Sequence, residues 1–126
     1  MGRMMNRKQT IAIKNAFDVT LARMQVRQRA RAIGLGIQDQ ASIALATSSL
    51  AHALKLGEAA EESTIDIYSP NEGERLGVQV VCTVANGAAW DPESKVFADT
   101  RWMVDELTVE TLPSNDIEVT LIKWAT

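Results

Sequence analysis

The sequence predicts a two-layer α/β sandwich, in which a mixed or mostly antiparallel sheet carries about three helices on one face. The length of 126 residues suits a single domain, residues 1–126, with one core. Five short segments are β-rich or alternate apolar with polar residues, and two longer ones carry apolar residues at helical spacing. With a short third helix the order is β-α-α-β-β-α-β-β, which lets the sheet bury one face under its helices.

The first strand and the first helix are predicted from alternation and from helical periodicity. Ile11 and Ile13 fall on one face of a half-buried strand, residues 8–14. The next helix is expected to run to about Ile33. Asp18 is its expected N-cap, because the Asp18 carboxylate can accept a hydrogen bond from a free backbone N–H group of the first turn. The apolar stripe of this helix consists of Ala22, Val26, Ala30 and Ile33.

A second helix follows two glycines. Gly34 and Gly36 are expected to end the first helix, because glycine tolerates positive φ. Asp39 lies near the start of the second helix, where its charge suits the helix dipole, and Gly57 is expected to stop it. The expected core stripe is Ile43, Ala46, Leu50 and Ala53 or Leu54. Residues 41–54 include no formally charged side chain, which predicts a helix covered on most sides.

Four strands and one short helix complete the chain. The predicted strands are residues 64–68, 76–84, 107–112 and 117–124, and the helix is 94–105. Cys82 alternates with valines in the strongest of these strands, so we expect a buried, inert thiol. Trp102 and Met103 are assigned to the core face of the short helix.

Composition excludes several classes of protein. The single cysteine rules out an internal disulfide and a cysteine-cluster metal site, and the single histidine rules out a His-rich one. No stretch approaches the roughly 20 apolar residues that span a bilayer. The N-terminus carries no apolar segment of signal-peptide type. We therefore expect a cytoplasmic protein with no membrane partner.

The charge is unevenly distributed along the chain. Residues 1–31 hold eight Lys or Arg and one acid, whereas the rest holds five basic and fifteen acidic residues. Arg23, Arg27 and Arg31 form an exposed stripe on the first helix, which suits an acidic partner protein. A solvated helix face is the alternative interpretation of each arginine. We expect no nucleic acid partner, because a basic helix can pair with an acidic protein or with the chain's own acidic body.

Several stretches resemble a known family. Residues 30–43, ARAIGLGIQDQASI, together with residues 100–110 and 119–124, are similar to bacterial anti-sigma-factor Ser/Thr kinases. In that family the first stretch is the end of the first helix, a glycine turn and the entry to the second helix. The resemblance covers nearly the whole chain. It implies the Bergerat fold of histidine-kinase-like ATPases.

The ATP-binding residues of the family are missing from the second helix. There the family carries a glutamate that acts as general base and, four residues later, an asparagine that holds Mg²⁺. The resemblance places Ser49 and Ala53 at these positions. A serine has no carboxylate to take a proton, and an alanine offers no oxygen to a hard cation. No register shift helps, because residues 40–57 include no acidic residue.

Two further ATP motifs of the family are also incomplete. The motif Asp-x-Gly-x-Gly, whose aspartate accepts the adenine amino group, corresponds to residues 85–89, where Ala85 and Ala89 replace the aspartate and the second glycine, and Gly87 remains. Trp90 either fills the space of the purine or anchors a partner. The glycine-rich phosphate lid is absent, since no glycine follows Gly87.

The resemblance therefore implies a degenerate kinase that regulates by binding a protein, such as an antagonist, a sigma factor or a phosphatase. No catalytic residue, metal or cofactor is expected. The alternative is a divergent but active kinase that binds ATP and Mg²⁺ through acids such as Asp39, Asp91 or Asp99.

His52 is interpreted as a helix histidine that is hydrogen-bonded to a neighbour. Three other roles stay open: a base, a phosphate contact or, with Trp90, part of a pocket for another small molecule. Homodimers occur among relatives and remain an open alternative.

Overall fold

The computed structural model describes residues 4–56, 63–84 and 95–125. Within these ranges, five strands and three α-helices follow one another in the predicted order. They are β1 Met4–Ile13, α1 Ala16–Ala32, α2 Ile37–Ala53, β2 Ser63–Glu72, β3 Arg75–Val84, α3 Ala98–Trp102, β4 Glu106–Thr111 and β5 Ile117–Trp124. A 3₁₀ turn, Lys95–Phe97, leads into α3. The third helix is shorter than the predicted span of residues 94–105.

The five strands form one sheet in the order β1-β2-β3-β5-β4. Each neighbouring pair is antiparallel, which agrees with the prediction of a mixed or mostly antiparallel sheet. A two-residue turn of Gly73 and Glu74 joins β2 to β3, with Glu72 opposite Arg75. Gly73 has a φ of +64°, which only glycine adopts at little cost.

The helices and one face of the sheet share the hydrophobic core. In β3, Val78, Val80 and Cys82 are fully buried, as the alternation predicts. From α1 the core includes Ala22, Val26 and Ala30, and from α2 it includes Ile43, Ala46 and Leu50. The predicted apolar stripes of both helices are thus confirmed, with Ile33 and Ala53 only half-buried at their ends. The fold is an α+β sandwich with α1 and α2 packed on the sheet.

The start of α1 differs from the prediction. Asn15, not Asp18, is the N-cap, and its Oδ1 accepts a hydrogen bond from the Asp18 backbone N–H at 3.1 Å. Asp18 lies in the first turn, where its Oδ2 accepts from the Lys14 backbone N–H at 2.8 Å. The two side chains together satisfy backbone donors on both sides of the helix start.

The helix ends also differ in detail. Gly34 follows α1 with a φ of +93°, as predicted. Gly36 does not end α1, because it is the extended N-cap residue of α2, with a φ of −64°. The second helix ends at Ala53, and Lys55 adopts the left-handed conformation there, with a φ of 56°. The predicted stop signal, Gly57, lies outside the described residues.

Two predictions of burial require correction. Trp102 is 90% exposed, so its assignment to the core face of α3 is wrong, whereas Met103 packs against the core. The second helix is covered on most sides, as predicted, but one stripe that includes Ala41, Leu45 and His52 is exposed.

Candidate functional site

Ser49 and Ala53, which the sequence resemblance predicts to stand at ATP-binding positions, lie on α2. The Oγ of Ser49 is 3.0 Å from Oγ1 of Thr100 in α3, and either hydroxyl can donate this hydrogen bond. Thr100 is fully buried, and Ala53 is half-buried. The Ser49 hydroxyl therefore bonds to α3 and is no carboxylate base, and the Ala53 side chain has no oxygen to offer a metal ion.

His52 faces a different part of the molecule. It is exposed and lines a cavity of about 440 Å³ between α1 and α2, together with Thr20, Arg23 and Ser48. Its side chain forms no hydrogen bond with a described residue, which contradicts the expected bond to a neighbour. Ser49 does not line this cavity, so the structure does not join Ser49 and His52 in one site.

The other candidate residues fall partly outside and partly inside the part of the chain that the structure describes. Ala85, Gly87, Trp90 and Asp91 lie outside the described residues. Of the remaining acids considered for a divergent kinase, Asp39 lies 3.6 Å from the Lys123 ammonium, and Asp99 is exposed on α3. Across residues 4–56, 63–84 and 95–125, no three His, Cys, Asp or Glu side chains are grouped so that they could share a metal ion.

Three of the four arginines of the first helix form an exposed cationic stripe. Arg23, Arg27 and Arg31 are all exposed, as predicted. None of them forms an ion pair or a side-chain hydrogen bond with another described residue. Arg29, one position away, differs because its guanidinium donates to the Ser69 hydroxyl at 3.0 Å. Within the described part of the chain, the stripe thus has exposed guanidinium groups that an external anionic group could bind.

Exposed apolar side chains lie beside this stripe. Met24 is 53% exposed, Ile37 is 76% exposed and Leu45 is 52% exposed. A groove of about 460 Å³ is lined by Met24, Arg27, Arg31 and Ile37, among others. An adjoining groove of about 270 Å³ shares Met24 and Arg27 and extends to Arg23 and Leu45. We call this continuous surface the α1–α2 groove: Arg23, Met24, Arg27, Arg31, Ile37 and Leu45.

The α1–α2 groove combines one sign of charge with apolar surface. No acidic side chain lines either of its two parts. The sign of the groove is therefore opposite to that of the protein as a whole, whose net charge is −3. A cationic groove of this kind raises the encounter rate with anionic partners, and the effect falls off within about 8 Å at physiological salt.

Sequence reasoning identified the arginines of this groove but not its apolar members. Met24 directly follows Arg23, and Leu45 falls outside the predicted core stripe of α2. Both positions could have been recognised as large apolar residues on the solvent side of their helices. Ile37 carried no such signal, because its exposure depends on where α2 begins.

Comparison with models of known protein families gives no match to this chain, and neither does comparison with curated proteins. None of the described helices is long and apolar enough to cross a membrane.

Proposed function

We propose that this chain is a cytoplasmic regulatory protein of the anti-sigma-factor-kinase type, with a degenerate Bergerat fold, that acts by binding a partner protein. The α1–α2 groove carries the proposal, because it presents three exposed arginines, none of them paired with another described residue, beside three exposed apolar side chains. A protein partner of opposite charge can form ion pairs with the arginines and bury the apolar side chains in the same interface. The partner is an acidic protein of antagonist, sigma-factor or phosphatase type.

The chemistry of α2 supports binding over phosphoryl transfer. Ser49 bonds to Thr100 and cannot serve as a base near neutral pH, and Ala53 cannot hold Mg²⁺. A kinase stabilises the transferring phosphoryl group almost entirely through positioning, metal ions and charge. The side chains at these two positions provide none of these contributions. The coarse architecture, with two long helices on an antiparallel sheet, is compatible with the fold that the resemblance implies.

A thermal melt with nucleotide tests the loss of ATP binding. We expect the same midpoint with and without millimolar Mg-ATP. A ligand present at a hundredfold excess over its dissociation constant would stabilise the protein by about 2.7 kcal/mol, which a melt resolves easily. An upward shift with Mg-ATP, absent with Mg²⁺ alone, would contradict the proposal and support the divergent kinase.

Capture of a partner from the native cell tests the binding role. The bait is the wild-type chain, compared with a variant that carries Arg23→Glu, Arg27→Glu and Arg31→Glu. The matched control carries Lys8→Glu, Lys14→Glu and Lys95→Glu, which makes the same charge change at exposed sites outside the groove. We expect the wild type and the control to retain one acidic regulatory protein that the arginine variant loses. Equal capture by all three baits would rule out the groove as the binding surface.

A further inference from the structure

The α1–α2 groove also indicates what kind of element binds there. We infer that it takes an acidic amphipathic helix of the partner, with carboxylates on the arginine stripe and apolar side chains against Met24, Ile37 and Leu45. This inference rests on the proposed partner-binding function, and it names the chemistry and the secondary structure of the bound segment. It commits to one occupant, a helix of another protein.

The spacing of the arginines suits a helical ligand. Arg23, Arg27 and Arg31 follow one another at intervals of four residues along α1, which corresponds to steps of about 6 Å at 1.5 Å per residue. Carboxylates three or four residues apart on a facing helix repeat at a similar interval. An arginine guanidinium can bind a carboxylate with two parallel hydrogen bonds, so each step can hold one acidic residue.

The walls of the groove favour a helix over an extended strand. An added strand gains its affinity from backbone hydrogen bonds to a free sheet edge. The walls here are α1 and α2, whose interior backbone groups bond within each helix, and they offer no such edge. A helix needs only side-chain contacts, which the ridges and grooves of a helix pair provide.

The exposed apolar side chains of the groove can bury the apolar face of the ligand helix. Single exposed apolar residues are ordinary on protein surfaces, but here Met24 and Ile37 line one part of the groove, and Met24 and Leu45 line the adjoining part. Methionine adapts its shape readily to different apolar partners. An amphipathic helix with apolar residues at intervals of three and four positions would cover all three side chains.

The chain's own helices do not supply the acidic face. Each α-helix that the structure describes contains a single acidic residue: Asp18 in α1, Asp39 in α2 and Asp99 in α3. A second copy of this chain therefore has no described helix that could place a carboxylate on each of the three arginines. Because none of the described helices offers this row of carboxylates, we assign the complementary charge to a different protein.

Binding of a synthetic peptide tests the inference. The probe is a fluorescent helical peptide with glutamates four residues apart and a leucine three residues after each glutamate. The control peptide has the same composition in scrambled order, and fluorescence polarisation is measured at low and at physiological salt. We expect the probe to bind at least tenfold more tightly than the scrambled peptide, and to bind more weakly as salt rises. Equal binding of both peptides, or binding of neither, would overturn the inference.

Protein variants separate the two kinds of contact. Met24→Ser with Leu45→Ser removes apolar surface and keeps the charge, and Phe17→Ser is the matched control at an apolar side chain exposed outside the groove. We expect the double variant to lose about tenfold in affinity, and Phe17→Ser to change nothing, with both folded by circular dichroism. If only arginine substitutions weaken binding, the helix-in-groove inference fails while capture of an acidic partner can still succeed. A dimer in sedimentation that Arg27→Glu dissociates would assign the groove to a second copy and overturn the inference.

Discussion

The indole ring of Trp124 lies against Gly77, directly across the pairing of β5 with β3. A Cβ atom at position 77 would stand only 2.7 Å from Cε3 of that ring. The indole Nε1 donates to Oε2 of Glu106 at 2.7 Å, and the Arg75 guanidinium lies 4.0 Å from the ring centroid. These contacts fix the ring, so glycine is required at position 77 for steric reasons.

Substitution of Gly77 should therefore destabilise the fold. Gly77→Ala places a methyl group into the indole ring, and overpacking of this kind costs about 1–3 kcal/mol. Urea denaturation measures the change. Gly36→Ala is the control, because no atom lies within 4 Å of a Cβ there and its φ is negative. We expect Gly36→Ala to cost at most about 1 kcal/mol, as an N-cap change. Equal losses in both variants would contradict the steric explanation.

The two described tryptophans should respond very differently to truncation. Trp124 is 4% exposed and Trp102 is 90% exposed. Trp124→Ala should cost about 3–5 kcal/mol, because it removes a large buried side chain. Trp102→Ala should change the free energy of unfolding by no more than about 0.5 kcal/mol, as is usual for surface positions. A loss above 2 kcal/mol in Trp102→Ala would show that this side chain is buried in solution.

The order of the elements could be predicted because it depends on periodicity alone. Alternation in β3 and the stripes of α1 and α2 each record which side chains are buried, so the sequence contains the answer locally. The prediction of the N-cap was wrong because two nearby residues are both suited to that position. Asn15 and Asp18 are both good N-cap residues, and only the path of the chain before the helix decides between them.

The candidate site was predictable only in part. The exposure of Arg23, Arg27 and Arg31 could be predicted from the charge pattern, because the charged face of a helix lies on the solvent side. The exposure of Ile37 could not be predicted, because it depends on where α2 begins. Trp102 is a second example, because its position next to Met103 did not indicate that its side chain would be 90% exposed.

Lys55 is a second place where backbone geometry predicts a measurable effect. Its φ of 56° is left-handed, and its N–H bonds to the carbonyl oxygen of His52, while Leu56 N–H bonds to that of Ala51. Gly34 ends α1 with the same pattern. A residue with a Cβ pays about 1–2 kcal/mol in this conformation, partly offset by the greater freedom of glycine in the unfolded chain.

Lys55→Gly should therefore stabilise the protein by up to about 1 kcal/mol. Thermal melting measures the change. Lys55→Ala removes the same charge but keeps a Cβ atom, and we expect it to give no gain. If both substitutions stabilise equally, the charge and not the backbone conformation is responsible.

The hydrogen bond between Ser49 and Thr100 should couple α2 to α3 energetically. Thr100→Val leaves the Ser49 hydroxyl without this partner in a half-buried place, at a cost of about 1 kcal/mol. A double-mutant cycle with Ser49→Ala should return a coupling energy of at least about 0.5 kcal/mol. Additive losses in the cycle would mean that the hydroxyl at this position is not engaged by α3.

Cys82 should make stability depend on pH in alkaline solution. Burial, with a smaller contribution from the charge of Asp66, raises the pKa of the Cys82 thiol from 9.0 to about 12. The unfolded chain releases the thiol proton near pH 9, while the native state keeps it until about pH 12. The contribution of this thiol to the free energy of unfolding is therefore fully present below pH 9. It falls as the pH rises towards 12, by up to about 1.4 kcal/mol per pH unit.

Comparison with Cys82→Ala isolates this effect, because every other titratable group is the same in both proteins. Denaturation at pH 8 and at pH 10.5 should show a larger loss of stability in the wild type than in the variant. The buried thiol should also resist alkylation by iodoacetamide at pH 8 until the protein is unfolded, because the thiolate is the reactive form. Rapid labelling of the folded protein, or parallel losses in both proteins, would mean that Cys82 is accessible and ionises normally.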